Sequence, residues 1–114
     1  MKKELSQLTE IQHFVTQENG TELPYQNEFW NFFEQGVYLD LISGVPLFLS
    51  LHKFKSACGW PAFHDQINEE DFTLIEDLSH GMKRVEVRSK HSNSHLGHLF
   101  DDGPAPTFKR YCIN

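Results

Sequence analysis

From Val37 to the carboxyl end the chain is cut into short apolar segments by glycine, proline and serine, and segments of that length suit strands better than helices. Residues 37–42 and 46–50 flank Ser43-Gly44, which is a hairpin signal. Residues 82–89 alternate, with Val85 and Val87 on one face and Glu86 and Arg88 on the other, as in a strand half exposed to water. Residues 96–100 and 111–113 read as further strands. The Gly-, Pro- and Ser-rich run 53–63 reads as an irregular loop, and the acidic run 67–77 as an exposed turn or short strand.

The first third has a different texture. Leu5, Leu8, Ile11 and Val15 recur at steps of three to four, which predicts an amphipathic helix over 4–18, capped by Ser6 or Thr9 and stopped at Asn19-Gly20 with glycine in the left-handed conformation. A brief aromatic segment, 28–33, follows and is closed by Gly36. The expected architecture is α+β but mainly β: short N-terminal helices, then antiparallel sheets forming a small barrel-like core within a single domain over 1–114. Ten phenylalanines, three tyrosines and two tryptophans supply that core without disulfide or metal staples.

The net charge of −6 argues against nucleic acid and anionic membranes as partners, because both attract basic faces. No apolar run approaches a membrane span, and the opening residues lack the apolar stretch of a secretory signal, so the expected location is the cytoplasm. In that reducing compartment two cysteines are reactive or simply buried rather than a standing bridge.

Chemistry concentrates in residues 95–114, where two histidines, paired aspartates, an arginine and a cysteine surround a Gly-Pro-Ala-Pro segment able to fold the run back on itself. Cys112 is either a nucleophile or a core cysteine; Arg110, two residues away and on the same side of a strand, favours its thiolate. Cys58 sits in a Gly- and Pro-bearing loop beside the apolar wall of Trp60, and within disulfide reach it could capture an oxidised form of Cys112. His95 and His98 suit metal ligation, acid–base work or a satisfied core role. With no Cys-x-x-Cys in the chain, acid–base or hydrogen-bonding roles are favoured, Asp102 orienting Arg110 or a histidine.

A series of blocks in fixed order adds to this. Gly36-Val37-Tyr38, Ser43-Gly44, Pro46-Leu47-Phe48, Cys58-Gly59-Trp60-Pro61, Ser79-His80-Gly81-Met82, Val87-Arg88-Ser89, Ser94-His95-Leu96-Gly97-His98, Asp102-Gly103-Pro104 and Arg110-Tyr111-Cys112-Ile113-Asn114 resemble the type B methionine sulfoxide reductases, from about Thr16 to the end. The resemblance implies a thiol-dependent repair enzyme of the oxidative stress response. It would reduce the R epimer of methionine sulfoxide, free or in proteins, without a cofactor and with thioredoxin as reductant. By position Cys112 is similar to the catalytic cysteine of the family and Cys58 to the resolving one. His95 and His98 would hold the water or acid that protonates the sulfoxide oxygen, and Trp60, with Phe63 packed by it, would receive the substrate methyl group. Arg110, Asp102 and Asn114 resemble further active-site residues. The alternative is a noncatalytic module that binds methionine sulfoxide peptides.

Three departures stand out. Many members hold zinc with two Cys-x-x-Cys pairs at positions matching Asp40, Ser43, Ser89 and Ser92, so the chain resembles the zinc-free subgroup and no metal is expected. Phe108 stands near a family glycine. The family also continues past Asn114 with an apolar strand, so a truncated C-terminus is expected to lower stability and activity relative to a longer chain.

Overall fold

A computed structural model describes residues 3–114; residues 1 and 2, part of the opening segment read above for a secretory signal, and the side chain of His80 lie outside the described residues. The periodic N-terminal segment divides at Thr9. Its hydroxyl accepts from the Gln12 N–H and the Gln12 side chain accepts from the Thr9 N–H, a reciprocal cap that starts helix α1 at Glu10 and carries it to Glu18. Leu5–Gln7 forms only a single 3-10 turn, and Leu8 is extended. The helix ends where expected but by a different residue: Asn19 takes the left-handed conformation (φ 56°), and Gly20 leaves room for the Phe14 ring, which a Cβ there would approach to 2.2 Å.

Eight strands follow: β1 (Val37–Leu39), β2 (Pro46–Leu49), β3 (Lys53–Phe54), β4 (Ala62–Phe63), β5 (Phe72–Asp77), β6 (Arg84–Ser89), β7 (His95–Phe100) and β8 (Arg110–Ile113). β1 and β2 form the expected hairpin, and the rest make one antiparallel sheet in the order β3-β4-β8-β7-β6-β5. Two fold expectations are corrected. The sheet stays open, with β3 and β5 as separate edges, so no closed barrel forms among the described residues. The aromatic segment 28–33 is turns and bends, leaving α1 as the one α-helix described. Its place is fixed from outside: the buried Lys53 ammonium donates to the carbonyls of Phe29 (2.6 Å) and Phe32 and to the Tyr38 hydroxyl (2.8 Å), beneath the rings of Phe32, Phe33, Tyr38 and Phe63.

Alternation then divides the six-stranded sheet. One face buries Phe63, Val87, Tyr111 and Ile113 against Leu47 and Phe48 of the hairpin, with Phe48 stacked on Phe63 at 4.5 Å between centroids. The opposite face carries Glu86, His98, Cys112 and Ala62 as one row of directly paired residues across four strands. No helix among the described residues is long and apolar enough to cross a membrane.

Candidate active site

Glu86, His98 and Cys112 of that row form the floor of a cleft of about 450 Å³, whose walls include Trp60, His95, Asn114 and Asp77. Cys112 lies in the middle of β8, between β4 and β7, and Gly97 opposite it is obligatory: a Cβ there would stand 2.0 Å from the Cys112 carbonyl oxygen. Cys58 reaches the same place from the β3–β4 loop. The two thiols are free, with 3.5 Å between sulfurs and the Cys112 S–H donating to Cys58.

The sequence spacing of His95 and His98 puts them on opposite faces of a regular strand. A bulge resolves this. The β6–β7 register runs Val87 to Gly97 and then Arg88 to His95, so Leu96 is the extra residue and His95 turns to the cleft face beside His98, with ring centroids 5.6 Å apart. Each imidazole is then held by a carboxylate. His95 Nδ1 donates to Glu86 Oε2 at 2.7 Å, and His98 Nε2 to Asp77 Oδ2 at 2.8 Å, since an ionised carboxylate only accepts. Arg88 Nη1 also donates to Glu86 (2.6 Å) and Arg84 stands 3.5 Å from Asp77. Hydrogen bonds from Ser79 and His98 hold the Asp77 carboxyl well below the usual carboxylate range. Burial outweighs the pull of Glu86 and lowers the pKa of His95, so its ring is neutral near pH 7 and the buried Nε2, without a partner among the described residues, is a bare acceptor.

Trp60 is tied to the end of β8 through one intervening residue, Glu22. Its indole N–H donates to the Glu22 carbonyl (2.9 Å), the Glu22 N–H donates to Asn114 Oδ1 (2.9 Å), and Asn114 Nδ2 donates to the Leu96 carbonyl (3.0 Å). Gly59 (φ 90°) lets the loop pass Pro24, where a Cβ would come within 2.7 Å. Arg110 Nε and Nη2 grip Asp102 at 2.7 and 3.1 Å, a bidentate pair, and its guanidinium lies 4.2 Å from the Phe100 ring centroid.

The charge of Arg110 reaches both sulfurs but does not decide the ionisation of Cys112. Burial, then the neighbouring Cys58, pushes the Cys112 thiol up to about 12. For Cys58 burial also raises the pKa, yet hydrogen bonds involving Ser56, the Trp60 backbone and Cys112, with Arg110, outweigh it and leave the thiol lowered. The pair therefore gives up its first proton readily, from Cys58, and its second with difficulty.

Of the residues expected at the site, Trp60, His95, His98, Cys112 and Asn114 line the cleft, Cys58 meets Cys112 beside it, and Arg110, on the same strand as Cys112, is gripped by Asp102 from the loop after β7. Phe63 does not. It is 1% exposed on the opposite face of the sheet, where its ring fills the core, so it offers no surface to a ligand beside Trp60. Glu86, Arg88, Asp77 and Arg84 are additions; alternation marked Glu86 and Arg88 only as a polar face, and that face is the cleft.

The positions matching the zinc ligands of the family do meet, but around a carboxylate. Asp40, 1% exposed, accepts from Ser89 (2.5 Å) and Ser92 (2.7 Å) through Oδ2 and from the N–H groups of Ile42 and Ser43 through Oδ1. One carboxylate with its lone pairs occupied and three neutral hydroxyls do not fit zinc.

The SelR domain model, which describes the methionine-R-sulfoxide reductases, matches residues 8–114. Two thiols, a bound indole and a pair of carboxylate-held imidazoles on one cleft are the chemistry such an enzyme requires, and with nearly the whole chain matched it belongs to this family of peptide-methionine (R)-S-oxide reductases, which are oxidoreductases.

Proposed function

We propose that Cys112 reduces methionine-R-sulfoxide and Cys58 then relieves it, with the substrate methyl group against Trp60. Cys112 sulfur bonds to the sulfoxide sulfur, its proton passes to the sulfoxide oxygen by way of a water accepted by His95 Nε2, and methionine leaves as the oxygen moves to Cys112 as a sulfenic acid. Cys58 attacks that sulfur, the sulfenic oxygen departs as water, and a Cys58–Cys112 disulfide results. Reduced thioredoxin, in the cytoplasm, exchanges with the disulfide and returns both thiols. Arg110, fixed by Asp102, offsets negative charge as it passes between the sulfurs, and Asn114 keeps Trp60 in register with Cys112.

The observation that carries this reading is the 3.5 Å between the two free sulfurs beside the cleft that holds Trp60. A disulfide is about 2.05 Å long, so 3.5 − 2.05 leaves about 1.5 Å of approach, within the reach of one loop side chain. Separated R and S epimers of a methionine sulfoxide peptide provide the test. Cys112→Ser is expected to lose all turnover of the R epimer, while Cys58→Ser completes one turnover and is no longer recycled by thioredoxin. Full R-epimer activity in Cys112→Ser, or unchanged thioredoxin-driven recycling in Cys58→Ser, would end the proposal.

A further inference from the structure

The two thiols differ in a way that sulfoxide reduction does not use. Cys112 is held within the sheet between β4 and β7, whereas Cys58 lies on the loop between β3 and β4, and both are half-buried. The S–H that links them belongs to Cys112 and points at Cys58. Cys58 thus receives a hydrogen bond at its sulfur and shares the charge of Arg110, and it is the member of the pair that carries the first negative charge. Hydroperoxides oxidise thiolates, and oxidant-sensing cysteines are partly exposed thiolates with a second thiol at hand.

We propose that the chain is also a thiol peroxidase for small hydroperoxides, with the cysteines in exchanged roles: Cys58 is oxidised first, and Cys112, 3.5 Å away, resolves it. The Cys58 thiolate bonds to one oxygen of hydrogen peroxide, the O–O bond breaks, and hydroxide leaves and takes up the proton that Cys58 had released. Cys58 is now a sulfenic acid. Cys112 sulfur attacks Cys58 sulfur, its proton leaves with the sulfenic oxygen as a second water, and the disulfide closes. Two thiols and one peroxide become one disulfide and two waters, and a dithiol such as dithiothreitol restores the thiols. Hydrogen peroxide is small enough to need neither the indole wall nor the histidines, so the inference uses the same sulfurs but does not depend on sulfoxide reduction.

The test exposes reduced protein to hydrogen peroxide with dimedone, a sulfenic acid trap, and locates the adduct by mass spectrometry. Cys112→Ser is expected to be labelled at Cys58 at least about tenfold faster than Cys58→Ser is labelled at Cys112. The wild-type protein is expected to escape labelling, lose the mass of two hydrogens per peroxide consumed, and turn over peroxide with dithiothreitol. Equal rates, or faster labelling at Cys112, would overturn the exchange of roles, as would wild-type protein that consumes no peroxide. R-sulfoxide turnover by the wild-type protein separates the two readings: its absence with the peroxide order intact contradicts sulfoxide reduction alone, and the reverse result contradicts only the peroxidase.

Discussion

Phe108 holds a backbone conformation that suits a smaller residue. Its φ of 59° lies in the left-handed region, and its ring is 58% exposed, so no core packing offsets the strain. Left-handed backbone costs an L residue about 1–2 kcal/mol, and the wider freedom of glycine in the unfolded chain takes back part of the gain. Phe108→Gly should therefore raise stability by about 0.5–1 kcal/mol, seen as a thermal midpoint higher by a few degrees; an unchanged or lower midpoint would contradict the strain. At His95 the informative change is Glu86→Gln, which removes the charged acceptor of the Nδ1 proton and of Arg88. It is expected to lower kcat for the R epimer at least about tenfold and to alter its pH profile, and a wild-type profile would show that Glu86 does not position the ring. The reactive residues were legible because the chain has only two thiols and two indoles, and they fall with the histidines of 95–98 into recognisable short blocks. Glu86 and Asp77 were not, because a polar strand face beside a cleft has the same alternation as one beside bulk water. Nor was the Leu96 bulge, which leaves no mark in the order of residues yet decides which way His95 faces.

At the scale of elements, the hairpin β1–β2 is fastened to the turn after β6 through Asp40. Four hydrogen bonds from Ser89, Ser92, Ile42 and Ser43 act on one buried carboxylate; burial raises its pKa, but these bonds prevail and hold it below the ordinary 3.8. A carboxyl whose folded pKa is depressed stabilises the fold above its unfolded value, and that contribution is lost as the pH falls through the folded value. Urea midpoints of the wild-type protein should accordingly drop from about pH 5 downward. Asp40→Asn should be less stable near neutrality by about 1–3 kcal/mol and should lose less on acidification, and parallel pH profiles for the two proteins would refute the role. Lys53 fastens the irregular segment in the same fashion. Lys53→Met leaves the carbonyls of Phe29 and Phe32 and the Tyr38 hydroxyl without their donor, which should cost about 2 kcal/mol and make residues 26–36 the first site of chymotrypsin cleavage. Cleavage elsewhere at the wild-type rate would argue against it. Strands β1, β2, β6, β7 and β8 were readable because alternation and turn residues agree there, whereas β3 and β4 lie inside the run 53–63 expected to be an irregular loop, since two-residue strands are too short to show a period. The helix predicted over 4–18 is shorter because the apolar period ignores the Thr9–Gln12 cap, and in the aromatic segment 28–33 nothing local indicates that it gathers round a lysine from another element.

At the scale of the whole molecule, the open sheet gives its two faces different roles, since one packs against the hairpin and the other presents Cys112 to the cleft. The barrel expected from many short strands did not close because β3 is only two residues long and meets no strand beyond β4. Contact between residues 54 positions apart, Cys58 and Cys112, is likewise a product of the entire sheet and not of any local signal. The most direct test of the relay is a single turnover: fully reduced protein mixed with one equivalent of a methionine-R-sulfoxide peptide and no reductant, quenched with acid and mapped for disulfides. One methionine should form for each Cys58–Cys112 bridge, with neither product from the S epimer. Methionine released while both thiols remain free would contradict it.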